Sequence, residues 1–391
     1  MHAPIDYDIY VKQPQGYEQS GADKACHLQK ALYGLKQSGR QWNVVFDDFM
    51  CKNGFVRSNV DHCLYIKDVD NCLVYIIVWV DDIIIAASTM DLLDNSKKLL
   101  SDKFKMSDLG QLHWFLGISF MCTSDKITMS QTQYLNNVLQ KFGMQDCKGI
   151  STPCEENIVK QGEPFPDIHI YRSAVGSLVY AMVCTRPDLS FIVTKLSQYL
   201  NSPTVEHWNC VKRVFKYVKR TIDYSLQFQR ASSLSLVGFC DSDWGSSIDD
   251  RHSISGYCFC MQKSGCAILW KSRKQPTVAL STTKAEYIAL ASAVQELLYL
   301  KQLISDFNYN VKDAPTIYED NQGAIALIKN PVYHSRTKHI DIKTHFVRES
   351  VLAHRISVEY LQTSDMVADC LTKPVSRAKM ESCCSVLFGN V

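Results

Sequence analysis

The chain has 391 residues, a formal net charge of +2, 46% hydrophobic residues and 21% charged residues. At roughly 150 residues per domain this length predicts two or three domains, and the composition excludes wholesale disorder. The near-neutral charge gives no indication of a nucleic-acid partner, so any such indication must come from local clusters. The longest apolar run, residues 73–87, is too short to cross a membrane and has Asp81 and Asp82 at its centre. With no signal peptide and 16 scattered cysteines without a CxxC pair, we expect an intracellular, cytoplasmic protein with reduced thiols.

The first 150 residues alternate between helical and extended patterns. Apolar residues at helical spacing predict a helix from Leu28 to Phe55, and polar Asp68–Asn71 predicts a hairpin loop between Cys63–Lys67 and Cys72–Ala87. The following segments predict a helix, an extended segment and a second helix: Met90–Phe104, Gly110–Phe120 and Thr132–Phe142. The polar, proline-containing residues 149–167 predict a linker, and Ile170–Arg220 is mostly helical.

The part of the chain after residue 230 has the order of an α/β domain, three strands, a long helix and a further strand, followed by shorter elements. The predicted elements are strands Leu234–Asp241, Gly256–Met261 and Ala267–Trp270, helix Thr283–Phe307, strand Thr316–Asp320, helices Gln322–Lys329 and Ile342–Leu352, strand Ser357–Leu361 and a closing helix from Asp365.

Four acidic residues lie near predicted strand ends or helix starts in this last part: Asp241, Glu286, Asp320 and Asp369. They are so far apart in sequence that only tertiary folding could bring them together. Phosphodiester hydrolysis by two divalent ions about 3.5–4 Å apart needs such a set of hard oxygen ligands. For any one of these acids taken alone, a helix cap or a solvated strand end is the commoner explanation.

Five segments in order resemble the ribonuclease H of copia-type retrotransposon Pol polyproteins: DSDWGSSIDDRHSISGY, WKSRKQPTVALSTTKAEYIAL, YEDNQGAIAL, NPVYHSRTKHIDIKTHFVRE and VADCLTKP. The resemblance implies a mixed five-stranded sheet with flanking helices, with Mg²⁺ or Mn²⁺ held by Asp241, Glu286, Asp320 and Asp369. It also implies an RNA–DNA hybrid as substrate. Asp243 and Asp365 are the nearest competitors for these roles, and Lys284 stands where the family usually has an acid.

The earlier segments IYVKQPQGYE, ALYGLKQSGRQW, IIVWVDDIIIA and DLGQLHWFLGISF are similar to the reverse transcriptase of the same family. By this resemblance Asp81 and Asp82 are polymerase metal ligands, and burial of such a pair in an apolar strand would be costly without counter-ions. The family's first catalytic aspartate falls just before the position of Met1. We therefore expect a truncated, vestigial palm without polymerase activity.

The resemblance divides the chain into a truncated reverse transcriptase, residues 1–150, a linker with a helical thumb or connection, residues 151–230, and a ribonuclease H-like domain, residues 231–391. The overall fold class is therefore α/β, of the mixed α+β kind.

Two basic clusters are candidate nucleic-acid contacts. Lys212, Lys216 and Lys219 share one face of a predicted helix whose other face is apolar, although a solvated helix surface would give the same pattern. The second cluster is rich in histidine but matches no zinc motif, and phosphate contacts across a hybrid suit it better. Its members are His334, Arg336, Lys338, His339, Lys343 and His345.

The leading hypothesis is a ribonuclease that hydrolyses the RNA strand of RNA–DNA hybrids, attached to a vestigial polymerase. The alternative is an inactive, decayed element fragment that at most binds nucleic acid. The intact acids favour the first, whereas the truncated start and Lys284 favour the second. The sequence predicts no oligomeric state.

Overall fold

The structure, a computed structural model, describes residues 7–19, 24–32, 34–155, 162–231, 235–247, 250–262, 265–309, 313–329 and 341–389. The chain divides into two units. The first comprises Met1–Gly110 and Gln302–Tyr309, and the second comprises Gln111–Lys301 and Asn310–Val391. Among the described residues, no helix is long and apolar enough to cross a membrane.

The first unit is built on an antiparallel sheet in the order β3-β4-β5-β6, with a separate two-stranded β1-β2 pair. Its core joins α1 to the sheet and α2 through Phe46, Met50, Ile76 and Leu100. The elements are β1 (Tyr10–Lys12), β2 (Ala25–His27), α1 (Ser38–Lys52), β3 (Val56–Arg57), β4 (Leu64–Val69), β5 (Cys72–Trp79), β6 (Asp82–Ala87) and α2 (Met90–Lys103).

Two predictions for this unit are wrong in detail. The apolar segment Cys72–Ala87 is not one strand but the hairpin β5-β6, in which Trp79 pairs with Asp82 around a two-residue turn. Val80 in that turn has φ 57°, a left-handed conformation that a β-branched residue rarely adopts. The helix predicted from Leu28 begins only at Ser38.

The second unit contains a four-stranded sheet in the order β10-β9-β8-β7, a helical layer and a five-stranded sheet. Its strands and helices are β7 (Trp114–Phe115), β8 (Ile118–Cys122), β9 (Lys126–Ser130), α3 (Thr132–Lys141), α4 (Ile168–Cys184), α5 (Ser190–Ser197), α6 (Val205–Arg220), β10 (Leu226–Gln229), β11 (Val237–Asp243), β12 (Ile254–Cys260), β13 (Ala267–Lys274), α7 (Thr282–Asp306), β14 (Thr316–Glu319), α8 (Gln322–Lys329), α9 (Asp341–Leu352), β15 (Ser357–Tyr360) and α10 (Arg377–Phe388). The last five residues of α7 group with the first unit.

The grouping of residues 111–150 differs from the predicted boundary at residue 150. These residues belong with the second unit because β9 pairs with β10 and because α3 packs with α4, α5 and α6 in one core. Leu135, Tyr171, Ile192 and Phe215 represent the four helices in that core. The division by function into polymerase, connection and ribonuclease parts stays a prediction.

The five-stranded sheet has the order β13-β12-β11-β14-β15. Strand β11 pairs antiparallel with β12 and parallel with β14, which confirms the predicted mixed sheet with flanking helices. One face packs against α10, where Phe239, Cys258, Leu387 and Phe388 share a core. The predicted apolar stripe of α7 is buried, as its members show: Ala289, Ala293, Leu297, Leu300 and Ile304.

The closing segment differs from the predicted helix starting at Asp365. It forms two short 3-10 turns, Thr363–Asp365 and Val367–Leu371, before α10 begins after its N-cap Ser376. Pro374 separates the second turn from α10, because proline lacks the backbone donor that a continuous helix would need. Asp369 therefore lies in a tight turn instead of a helix.

Candidate metal centre

Three of the predicted acids converge at one edge of the five-stranded sheet. A ligand oxygen of Asp241, one of Glu286 and one of Asp320 all lie within 4.8 Å of one another. Strands β11 and β14 are parallel neighbours, with Cys240 opposite Glu319. The residues that follow these two, Asp241 and Asp320, therefore lie at the same edge of the sheet. Glu286 reaches this edge from the start of α7.

Asp241 has a buried carboxylate with one polar and one cationic neighbour. The residue is only 1% exposed. The hydroxyl of Thr372 donates to its Oδ2, and Nζ of Lys373 lies 3.4 Å from the same oxygen. Burial raises the pKa of Asp241 to about 6, although Lys373 acts in the opposite direction. A further positive charge nearby would therefore stabilise the ionised form of this carboxylate.

Gly256 lets the turn that carries Asp369 approach the sheet closely. It pairs with Asp241 across β11 and β12. A Cβ at this position would lie 2.6 Å from Cγ2 of Thr372 and 2.8 Å from Cβ of Leu371. The absence of a side chain at residue 256 therefore allows Thr372 to reach the carboxylate of Asp241.

Glu286 is the least compensated member of the group. It is 7% exposed, and its Oε2 is a buried atom without a hydrogen-bond partner in the described part of the chain. Burial, followed by the repulsion of Glu319, Asp241 and Asp320, raises the pKa of Glu286 to about 11. A buried oxygen that lacks a partner, beside two further carboxylates, fits a hard divalent cation.

Asp369 stands apart from the three-acid group. Its Oδ1 lies 2.6 Å from Nζ of Lys373, and its Oδ2 lies 3.0 Å from Nζ of Lys379. Both carboxylate oxygens are thus paired with lysines, and the group of mutually close ligand atoms does not include this residue. The metal-binding role of Asp369 stays a prediction.

The two competing acids lie outside the group of close ligand atoms. Asp243 is partly buried, which raises its pKa, and Asp365 is exposed on the first 3-10 turn. Lys284 is partly buried in the first turn of α7, and its backbone N–H donates to Oγ of Ser281. Among the ion pairs found in the described ranges, none joins Lys284 to the three acids.

Four residues of the site were missed by the sequence analysis: Glu319, Thr372, Lys373 and Lys379. Glu319 is fully buried, its Oε2 lacks a hydrogen-bond partner among the described residues, and burial raises its pKa well above the usual range. The four-residue spacing of Asp369 and Lys373 would indicate a pair on the predicted closing helix, although the structure forms this pair across a 3-10 turn. The other contacts depend on tertiary packing.

The acidic pair of the first unit has a different environment. Asp81 and Asp82 are both exposed at the β5-β6 turn, so the expected cost of burying them in an apolar strand does not arise. The indole Nε1 of Trp42 donates to the carbonyl oxygen of Val80 at 2.6 Å and so holds the turn to α1. A metal-binding role for this pair stays a prediction.

Comparison with known proteins assigns the family. Residues 1–156 match the family model described as reverse transcriptase (RNA-dependent DNA polymerase). The Retrovirus-related Pol polyprotein from transposon TNT 1-94 of Nicotiana tabacum is 39% identical over 98% of this chain and 30% of its own length. The putative transposon Ty5-1 protein of Saccharomyces cerevisiae is 32% identical over 76% of this chain and 98% of its own length. The chain belongs to the copia-type retrotransposon Pol family.

This copia-type chain spans less than a third of the tobacco polyprotein that it matches. Among solved structures, the foamy viral protease-reverse transcriptase in complex with dsDNA has a TM-score of 0.47 and 12% identity, covering 93% of this chain and 67% of its own. That likeness is too weak to assign a role to any residue.

The first basic cluster of the Pol chain lies on α6. Val211, Phe215 and Val218 are buried, while Lys216 is exposed and Lys212 and Lys219 are partly exposed, as the helical pattern predicted. In the second cluster, His334, Arg336, Lys338 and His339 lie outside the described residues. Lys343 is partly exposed and His345 is exposed on α9. Nucleic-acid contact by either cluster stays a prediction.

Proposed function

We propose that residues 231–391 form a ribonuclease that hydrolyses the RNA strand of RNA–DNA hybrids with divalent metal ions. The observation that carries the proposal is the convergence of ligand oxygens of Asp241, Glu286 and Asp320 within 4.8 Å, where Oε2 of Glu286 has no hydrogen-bond partner among the residues that the structure describes. Three buried or partly buried carboxylates would repel one another strongly unless a cation joined them. The resemblance of this part of the chain to copia-type ribonuclease H supports the choice of substrate.

Asp241, Glu286 and Asp320 would hold the ion, Mg²⁺ or Mn²⁺, with Asp369 as a further acid near the same edge. When bound, such an ion supplies a Lewis acid and an activated water for phosphodiester hydrolysis. The protein contributes a desolvated edge, because Asp241 and Glu286 are buried, and an oriented carboxylate, because Thr372 fixes Asp241. Preorganised ligands of this kind need little rearrangement on binding.

The hybrid would be held through its phosphates by the lysines of α6 and by Lys343. Lys216 is exposed, and Lys212 and Lys219 are partly exposed, on a helix whose other side is buried. Three lysines on one helical face suit contact with a backbone that carries regular negative charge. Arg336, Lys338 and His339 are proposed partners on sequence alone. Loss of polymerase activity and an intracellular, cytoplasmic location also stay predictions.

The ion pairs of Asp369 favour a second candidate function. Lys373 and Lys379 pair with both carboxylate oxygens of Asp369. If these ion pairs persisted, Asp369 would not contribute to metal binding, and the domain would bind nucleic acid without cleaving it. Hydrolysis assays distinguish the two candidates.

The test measures cleavage of an end-labelled RNA–DNA hybrid by the full chain across a magnesium titration, with single-stranded RNA as control. Asp241→Asn, Glu286→Gln and Asp320→Asn should each reduce cleavage by at least about a hundredfold, because amides keep the shape but not the charge that holds the ion. Asp369→Asn should have an intermediate effect. Asp243→Asn and Asp365→Asn are the matched controls and should retain most of the activity.

If the parent cleaves and Asp241→Asn cleaves equally well, the assigned site is wrong. If the parent binds the hybrid and never cleaves it, the binding-only candidate replaces the ribonuclease.

A further inference from the structure

The Lys373 side chain bridges two acids at the edge of the candidate metal centre. Its Nζ lies 3.4 Å from Oδ2 of Asp241 and 2.6 Å from Oδ1 of Asp369. These acids come from different segments, strand β11 and the 3-10 turn Val367–Leu371. One ammonium group therefore partly neutralises two buried carboxylates from separate segments of the chain.

A second lysine at the site is held in a different way. Lys379 lies 3.0 Å from Oδ2 of Asp369, and it also donates to the carbonyl oxygens of Thr363 and Ser364 at 2.7 Å each. Two backbone acceptors fix its ammonium group whether or not Asp369 changes partner. The described ion pairs of Lys373 involve only the acids of the site, so its position depends on their charge.

Lys373 approaches a carboxylate that also belongs to the three-acid group. A divalent ion on Asp241 would face the lysine ammonium across a single carboxyl group, and two cations at that separation repel strongly where water is excluded. The lysine side chain is 33% exposed, and its long aliphatic chain can swing towards solvent. The ammonium can therefore withdraw, but only by giving up both ion pairs.

We propose that Lys373 acts as a built-in competitor of the divalent cation and so sets the metal affinity of the acidic site. The inference rests on the metal-binding part of the proposed function. Without a metal the ammonium relieves the repulsion between Asp241 and Asp369, and on metal binding it leaves Asp241. By thermodynamic linkage, the free energy by which Lys373 stabilises the metal-free state is subtracted from the apparent binding free energy of the metal.

The test titrates the full chain with Mn²⁺ by isothermal titration calorimetry, with no nucleic acid present. Lys373→Met keeps the chain length and removes the charge, and should bind Mn²⁺ about tenfold more tightly than the parent, within the usual range of coupling between two sites. Lys373→Gln should act in the same direction. Lys373→Arg keeps the charge and should stay within about threefold of the parent.

The matched control is Lys271→Met. Lys271 is also a partly exposed lysine paired with one carboxylate, since its Nζ lies 3.1 Å from Oε1 of Glu296, but this pair lies outside the acidic site. Its replacement should leave the Mn²⁺ affinity unchanged. Thermal unfolding supplies a second measurement, in which Lys373→Met should lower Tm in EDTA and gain more Tm than the parent when Mn²⁺ is added.

Mn²⁺ affinity in Lys373→Met and Lys373→Gln that is equal to or weaker than in the parent would overturn the inference, as would a parent and variants that all bind no Mn²⁺. Tighter binding by both neutral variants and not by Lys373→Arg supports it. Because no cleavage is measured, these outcomes are separate from the hybrid assay. A chain that binds Mn²⁺ as expected and never cleaves a hybrid would contradict only the ribonuclease.

Discussion

Two acidic sites of this chain show how the same residue type behaves in different surroundings. Asp81 and Asp82 are adjacent in sequence and exposed at a two-residue turn, where water solvates both carboxylates. Asp241 and Glu286 are distant in sequence, buried, and close to further acids. Sequence adjacency made the first pair conspicuous. In the second group, burial and mutual repulsion raise the free energy of the ionised carboxylates, and a bound cation would lower it.

The difference also concerns what holds each site in place. The turn at Val80 is kept by a left-handed backbone and by the hydrogen bond from Trp42, so the scaffold bears the strain. The buried acids are kept by side-chain contacts, with Thr372 on Asp241 and two lysines on Asp369. Changes of charge should therefore alter the stability of the second site far more than that of the first.

The largest expected effect is on stability at neutral pH. Because the pKa of Glu286 is raised to about 11, the folded state at pH 7 keeps a proton that the unfolded chain releases, and this costs stability. Glu286→Gln removes that cost and should stabilise the metal-free protein by about 2–3 kcal/mol at pH 7. Asp82→Asn, the exposed control, should change stability by no more than about 0.5 kcal/mol.

Urea unfolding in EDTA, followed by circular dichroism, measures both variants, and the transition that moves when Mn²⁺ is added belongs to the second unit. The gain of Glu286→Gln should disappear near pH 4, where Glu is protonated in both states. Equal effects of Glu286→Gln and Asp82→Asn at pH 7 would remove the distinction between the two sites.

A smaller effect should appear in the pH dependence between about 4 and 6. Below this window Asp241 is protonated in both the folded and unfolded states, and its contribution to stability is complete. As the pH rises towards the folded-state pKa of about 6, the unfolded chain releases the proton first, so stability falls by about 1–2 kcal/mol. Asp241→Asn should flatten this part of the profile.

The slope of stability against pH is the quantity to compare, since the amide in Asp241→Asn also loses the ion pair with Lys373. Asp81→Asn serves as control and should leave the slope as in the parent. Equal slopes between pH 4 and 6 in the parent and in Asp241→Asn would show that burial does not dominate at Asp241.

Short apolar runs and helical spacing predicted much of the second unit. Strands β11 and β12 are short runs that are buried almost throughout, and the buried stripe of α7 follows from apolar residues spaced three or four apart. The order of these elements in the chain suits a mixed sheet. The convergence of Asp241, Glu286 and Asp320 was expected from the family resemblance, whereas for each acid taken alone a helix cap or a solvated strand end was the commoner explanation.

The remaining features have physical causes that a single sequence does not display. The run from Cys72 to Ala87 is apolar on both sides of Asp81 and Asp82, so periodicity does not mark the turn at Val80. The positions of Lys373 and Lys379 on Asp369 depend on a 3-10 turn and on Pro374, which together bring two short segments side by side. Glu319 lies one residue before Asp320 and is buried because strand alternation turns it inward.

The smallest expected effect extends the comparison from acids to lysines, because Lys216 is exposed on α6 whereas Lys373 is tied to buried acids. Lys216→Glu combined with Lys219→Glu should change the free energy of unfolding by less than about 0.5 kcal/mol and weaken hybrid binding about fivefold at low salt. Each lost phosphate contact should also reduce the dependence of log affinity on log salt concentration by about one. Fluorescence anisotropy with a labelled hybrid at several salt concentrations measures this.

Lys98→Glu with Lys103→Glu on α2 makes the same change of net charge at exposed positions and should have the weaker effect. If the two double variants bind equally at every salt concentration, the lysines of α6 act only through net charge and form no nucleic-acid contact.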